Sequence, residues 1–126
     1  MLGLQADSQA AYERFVQRVV ESGLVWALHS EEEGWCVSGS NDDEDVDVVP
    51  VWSDRAYAAQ CARDEWAVYE PTPIPLNEFM EGWLPGMAEA GDLAGTNWNA
   101  QLIGREVEPL ELLAALEARQ RETASA

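Results

Sequence analysis

No lysine occurs in this sequence, and its seven arginines face 24 aspartates and glutamates, for a formal net charge of -17. A field of that sign repels phosphate backbones and anionic lipid headgroups, so direct binding of DNA, RNA or membrane is not expected. A basic protein partner, or mimicry of DNA by the acidic surface itself, fits the charge. A purely solubilising surface fits it too. Histidine occurs once, at His29, and a metal centre built on it would need carboxylates or thiols to complete it. Cysteine is scarce as well. Cys36 and Cys61 form no CxxC pair, which suits reduced thiols in a cytoplasmic protein. No apolar run approaches the roughly 20 residues of a membrane span, and MLGLQADSQ has neither the basic nor the apolar part of a secretory signal. Finally, there is no GxSxG, no glycine-rich phosphate loop and no HExxH. An enzyme built on those devices, and a cofactor held by them, are not expected.

What is present is enough apolar material for one packed domain. Hydrophobic residues make up 47% of 126 positions, too many for a disordered chain and the right scale for a single core. Six tryptophans (Trp26, Trp35, Trp52, Trp66, Trp83, Trp98) are spread along it. Each can bury roughly 200 Å², so most belong in the core or in a groove beside it.

The pattern opens with a helix over Ser8–Ser22, capped by Asp7 or Ser8 and ended by Gly23, with Tyr12, Phe15, Val16, Val19 and Val20 on one stripe. Leu24–Ser30 reads as a strand with Trp26 and Leu28 on one face and Val25, Ala27 and His29 on the other. The turn Glu31-Glu32-Glu33-Gly34 leads to a second strand over Trp35–Ser38, an antiparallel hairpin. An acidic run, Gly39–Asp47, precedes the most apolar strand, Val48–Trp52, which flows into an alanine-rich helix over Arg55–Asp64 capped by Ser53 or Asp54. That strand and helix are expected to be the fold nucleus. Trp66–Glu70 reads as a strand and Pro71–Pro75 as a stiff extended connector. A helix from Leu76 carries the stripe Leu76, Phe79, Met80, Trp83, Leu84 and Met87, kinked or divided at Pro85. Asp92–Leu102 reads as the last strand, with Trp98 in it. Gly95 would weaken that strand unless a close contact needs it. Pro109 opens a final helix that frays beyond Arg119, leaving 120–126 disordered. The order α-β-β-β-α-β-α-β-α predicts an α+β layered domain over 1–126, with its core at about 8–118. About five mainly antiparallel strands should pack with about four helices.

Four constellations have chemistry worth testing. Asp43, Asp45 and Asp47 sit at positions 1, 3 and 5 of an EF-hand loop with Asp54 at position 12, but position 6 is Val48, where that loop needs glycine. The loop would also have to absorb the apolar strand, so a solvated hairpin loop is the better reading. Cys36 and His29 lie on adjacent strands of the proposed hairpin and are the one thiol–imidazole pair available. Trp35, Trp52 and Trp98 are the candidates for lining a ligand groove. The acidic turns, Glu31, Glu32 and Glu33 with Asp42, Asp43 and Asp45, are candidate contacts for a basic protein partner, with exposed tryptophans beside them as anchors.

Read in order, Tyr12-Glu13-Arg14-Phe15, Val25-Trp26-Ala27-Leu28, Gly34-Trp35 and Val49-Pro50-Val51-Trp52 form a spaced set of short motifs. Ala56 with Trp66, Glu78-Phe79 with Trp83-Leu84, and Trp98 before Pro109 complete it. On these residues the chain resembles the domain of unknown function 2750 family over roughly Ala10–Leu116. The resemblance implies a small single-domain bacterial protein with no assigned activity, and it transfers no catalytic residue. The residues and the resemblance together point to a non-enzymatic interaction protein of immunity or regulatory type. A small-ligand binder or enzyme using the tryptophan groove is the alternative, and a DNA mimic ranks below both.

Overall fold

Helices and strands follow one another much as the residue pattern predicts, but the sheet divides in two. A computed structural model of the protein describes residues 2–40 and 45–125. Helix α1 (Leu2–Ser22) leads into strands β1 (Leu24–Ser30), β2 (Gly34–Trp35), β3 (Ser38–Gly39) and β4 (Asp47–Val51). Helix α2 (Arg55–Cys61) and a 3-10 turn (Asp64–Trp66) precede strand β5 (Glu70–Pro75). A helical run follows, made of α3 (Leu76–Glu78), a π-turn (Phe79–Trp83) and α4 (Leu84–Ala90). Strands β6 (Leu93–Thr96) and β7 (Arg105–Val107) and helix α5 (Pro109–Ser125) complete the α+β fold.

One sheet has the order β2-β1-β5, the other β3-β4-β6-β7. All their pairings are antiparallel except β4 with β6. Trp26 and Trp52 stitch the two together. Each donates its N–H to the other's carbonyl, at 2.8 and 2.7 Å. Through that bridge β5-β1-β4-β6-β7 follow one another as neighbouring strands, with β2 and β3 as short flaps. Because side chains alternate along a strand, the joined strands feed two cores. Val25 and Ala27 of β1 and Val49 and Val51 of β4 pack with Phe15 and Val19 of α1, Phe79, Leu84, and Leu112 and Leu116 of α5. On the other face Leu28, Cys36 and Trp52 pack against Ala58 and Cys61 of α2. The sheet is covered on both sides, which is why β4 reads as continuously apolar.

The proline-rich segment is the main departure from expectation. Trp66–Glu70 is not a strand. Its start lies in the 3-10 turn, and the strand is the supposed connector at 70–75. Backbone parity explains how three prolines fit. Trp26 spends both its backbone groups on Trp52, and the Leu28 carbonyl accepts from Cys36 N–H at 2.9 Å, so Trp26 and Leu28 turn their polar groups away from β5. Their partners across the ladder are Pro73 and Pro71, while Pro75 faces Leu24, which has the same parity. Every proline therefore falls at a position that donates nothing to β1, on a strand at the sheet edge. Thr72 and Ile74 occupy the hydrogen-bonding positions between them. Pro50 obeys the same rule. Val51 accepts from Asn97 N–H, so Val49 and Val51 face β6. Pro50 faces the gap between Ser38, which pairs with Val48, and Trp26, which bonds Trp52.

Trp98 is the second departure. It lies in no strand. After Thr96 the backbone turns through Asn97, at φ 49, and Trp98 starts a loop that returns as β7, a strand absent from the sequence reading. Trp98 is 2% exposed. Its indole N–H donates to Arg105 O at 3.3 Å, and its carbonyl accepts the Trp52 indole N–H at 2.9 Å. The ring lies across the backbones of Gly95 and Gly104: a Cβ at Gly95 would stand 2.5 Å from Trp98 Cε2, and one at Gly104 would meet the ring edge. Glycine interrupts β6 because an indole needs the space.

Smaller differences concern ends. Helix α1 begins at Leu2, so Asp7 and Ser8 lie inside it instead of capping it, while Gly23 ends it at φ 77 as expected. Asp54 holds the N-cap position of α2 but makes no capping bond. Its carboxylate goes to Arg18 Nε at 3.1 Å and accepts from Ser53 Oγ at 2.6 Å. Pro85 does not divide the helical run. Leu84 N–H reaches back five residues to Phe79 O, a wider turn that moves backbone away from the proline ring. The last helix passes Arg119 and runs to Ser125, with Thr123 Oγ1 donating to Arg119 O at 3.0 Å.

Two outcomes test this account by urea denaturation. Thr72→Pro is expected to destabilise by about 3 kcal/mol through loss of a ladder bond, while Pro73→Ala stays within about 1 kcal/mol. Gly95→Ala is expected to cost about 1–3 kcal/mol or more, because it overpacks the indole, and Trp98→Leu in the same background should recover part of the loss.

Candidate functional site

The turn at the end of β1 builds the most distinctive surface of the protein. Ser30 is buried, and its hydroxyl accepts the backbone N–H groups of Glu32 and Glu33, both at 3.3 Å. Gly34 sits at φ 79, as the hairpin requires. Those bonds hold Glu31, Glu32 and Glu33 in one exposed turn. One step along the ladder, His29 faces Trp35. This pair does not exchange backbone bonds, since the neighbouring Cys36 N–H donates to Leu28 O and Ser30 pairs with Gly34, so its side chains stand close. The two rings meet at 4.6 Å between centroids.

Trp83 comes to the same place from the π-turn. It meets Trp35 edge-on at 4.7 Å, with the planes at 82°, and lies 6.3 Å from Phe79. The result is an aromatic series from the buried Phe79 through Trp83 to Trp35, which is 37% exposed. Beside it, a cleft of about 610 Å³ is lined by His29, Ser30, Glu31, Glu32, Val68, Glu70 and Thr72. Glu70 stands across the ladder from His29, and Val68 is 60% exposed. A tryptophan face beside carboxylates is a receptor for guanidinium or ammonium groups: the ring offers a cation–π contact and the carboxylates offer charge.

The structure distributes the residues singled out above over separate places. Trp35 and Glu31, Glu32 and Glu33 come together. Trp52 and Trp98 do not join them. Both are buried and bonded to each other, so the groove lined by Trp35, Trp52 and Trp98 does not form. Strand parity is the reason, because Trp35 shares the face of His29 while Trp52 belongs to the core beneath α2. Asp45 is exposed in the turn before β4. Asp42 and Asp43 lie outside the described residues, as does part of the tested calcium loop. Among the described residues, no group of three or more histidine, cysteine, aspartate or glutamate side chains is placed to hold a metal ion. Trp83 and Glu70 belong to the face but were not singled out from sequence. Trp83 reads as one more core position of an amphipathic helix, and Glu70 gains its place only once the proline segment pairs with β1.

The thiol–imidazole pair is also taken apart by parity. Cys36 lies opposite Leu28, on the α2 side, while His29 is on the other face. Burial pushes the Cys36 thiol up to about 12, with Cys61 adding to the rise. Burial likewise raises Cys61 to about 11, against the opposing pull of Arg63 and a hydrogen bond from Trp52. Neither is a nucleophile at neutral pH.

Fold and surface together define a small α+β domain whose outstanding exposed feature is an acidic, aromatic hairpin. The family model for a protein of unknown function, DUF2750, matches residues 12–116, and the chain belongs to that family. The matched span begins at Tyr12 and ends at Leu116, the first and last buried residues of the main core. No curated protein and no solved structure matches the chain. No helix among the described residues is long and apolar enough to cross a membrane.

The thiols give a test with a definite sign. The unfolded chain loses these protons near pH 9, while the folded protein keeps them to about 11 and 12. Above pH 9 the unfolded state binds fewer protons, so stability falls as pH rises through that window. The urea midpoint should drop between pH 8 and about pH 10.5, and the Cys36→Ala/Cys61→Ala variant should show a shallower drop. An equal slope in the two proteins would assign the effect to other groups.

Proposed function

We propose that the protein is a non-enzymatic interaction domain that binds a basic protein partner through the β1–β2 hairpin face. The carrying observation is Trp35, more than a third exposed yet held on both sides by His29 and Trp83, beside a turn of three glutamates. A rigid, half-exposed tryptophan loses little freedom on binding, and residues of this kind dominate interface energetics. The charge of -17 acts at longer range, steering a cationic surface toward the hairpin. Buried, reduced cysteines suit a reducing compartment such as the cytoplasm. An immunity-type or regulatory role fits a small domain that acts by occupying its partner.

The test is a pull-down from the native host with the wild-type protein and Trp35→Ala, at low and high salt. A cationic protein retained by the wild type should be lost or weakened at least about 30-fold by Trp35→Ala. Replacing Glu31, Glu32 and Glu33 with glutamine should slow association and flatten its salt dependence. Retention unchanged by either variant would remove the hairpin from the role. A retained DNA-binding protein that duplex DNA displaces would make the surface a DNA mimic instead.

A further inference from the structure

The only parallel pairing described, β4 with β6, has its carboxyl ends in a different region from the hairpin, and a second kind of site is built there. Open sheets bind ligands just beyond the carboxyl ends of parallel strands, because the chain leaves both strands on the same side and the following loops diverge. Here β4 runs on to Ser53 and α2, while β6 runs on to Asn97 and the Trp98 loop. Asn97 locks the two exits together. Its Oδ1 accepts Ser53 N–H at 2.8 Å, and its Nδ2 donates to Ser53 Oγ at 3.1 Å and to Ala11 O of α1 at 3.3 Å. The residue is buried, with φ 49, a left-handed backbone that asparagine tolerates better than most. The loop beyond it is equally fixed. Asn99 Oδ1 accepts the N–H groups of Gln101 and Ile103, and Cys61 Sγ reaches Asn99 O at 3.3 Å.

Between this braced loop, α1 and α2 lies a cleft of about 340 Å³, the scale of a small-molecule pocket. Its apolar part comes from Tyr57, Trp98 and Ile103, the last 41% exposed. Its charges come from one stripe of α1, Asp7 and Arg14. They are seven residues apart, about 10 Å along the axis, and helical side chains lean toward the N-terminus, which carries the Arg14 stem back toward Asp7. Arg18, Arg105 and Arg119 each have a carboxylate partner. Arg14, like Arg55 and Arg121, makes no ion pair or hydrogen bond among the described residues, and of these three it is the one that lines the cleft. It lines the cleft with its donors unused.

We infer that this cleft binds a small zwitterion of the α-amino acid class with an apolar side chain. The ligand carboxylate pairs with Arg14, its ammonium with Asp7, and its side chain lies against Tyr57 and Ile103. Charge favours a zwitterion over a simple anion. The field of a -17 protein repels a net anion, but it exerts no net force of that kind on a neutral molecule carrying both charges. This site stands apart from the hairpin face and does not rest on the reading given for it.

The experiment uses free L-phenylalanine as probe, followed by saturation-transfer NMR and calorimetry on the full chain. Phenylacetate and phenethylamine serve as the carboxylate-only and ammonium-only arms. L-phenylalanine should bind, and both analogues at least ten-fold more weakly. Arg14→Gln and Asp7→Asn should each weaken it about ten-fold, with unfolding midpoints near wild type because both side chains are exposed. No saturation of L-phenylalanine by the wild type at millimolar concentration would overturn the inference. So would phenethylamine binding as well as the amino acid, or affinity indifferent to Arg14→Gln.

Discussion

The reciprocal pair of backbone hydrogen bonds between Trp26 and Trp52 organises the rest of the structure. Without it the two sheets would be separate, each with an edge facing the other. With it, β1 is bonded along both sides, by β5 on one and by Trp52 and β2 on the other. The bonds also set parity. Once Trp26 points its polar backbone at Trp52, the alternate residues of β1 must satisfy β5, and the residues opposite Trp26 and Leu28 need no N–H. A segment with proline at every second position meets that need, and it protects the sheet edge from pairing with another chain.

Sidedness follows from the same constraint. A strand sends neighbouring side chains to opposite faces, so the bridge decides which residues meet. Trp26, Leu28, Cys36 and Trp52 enclose the smaller core with α2, while Val25, Ala27 and the aromatic series ending at Trp35 belong to the helical side. The same alternation that buries two tryptophans presents a third. Surface and core are in this sense one pattern, and the acidic hairpin is the point at which the aromatic side of the sheet reaches solvent beside concentrated charge.

At the far end of the sheet the chain uses rigidity differently. The indole of Trp98 lies across two glycines, and Asn97 ties the exits of β4 and β6 to α1. A loop anchored through an indole, an amide and a thiol has few conformations to lose on binding. Hairpin and cleft therefore share a principle: each presents its polar groups on backbone already immobilised by buried bonds.

Much of this was legible in the residues alone. Period-2 alternation placed β1 at Leu24–Ser30, glycine placed the positive-φ positions at Gly23 and Gly34, and the stripes Tyr12-Phe15-Val19 and Leu76-Phe79-Leu84-Met87 marked the buried helix faces. These are local properties, decided by neighbours a few positions away, and composition likewise settled the charge. Where partners lie far apart in sequence, the residues alone were silent or misleading. Pro71–Pro75 is a strand only because Trp26 and Leu28 turn their polar backbone the other way. Trp35 parts from Trp52 only because they occupy opposite faces of a joined sheet. Sequence determined which segments could be helix or strand and the sign of the surface. Tertiary pairing decided which prolines and tryptophans were tolerable, buried or offered to a partner, because hydrogen-bond parity is set by strands that lie dozens of positions away.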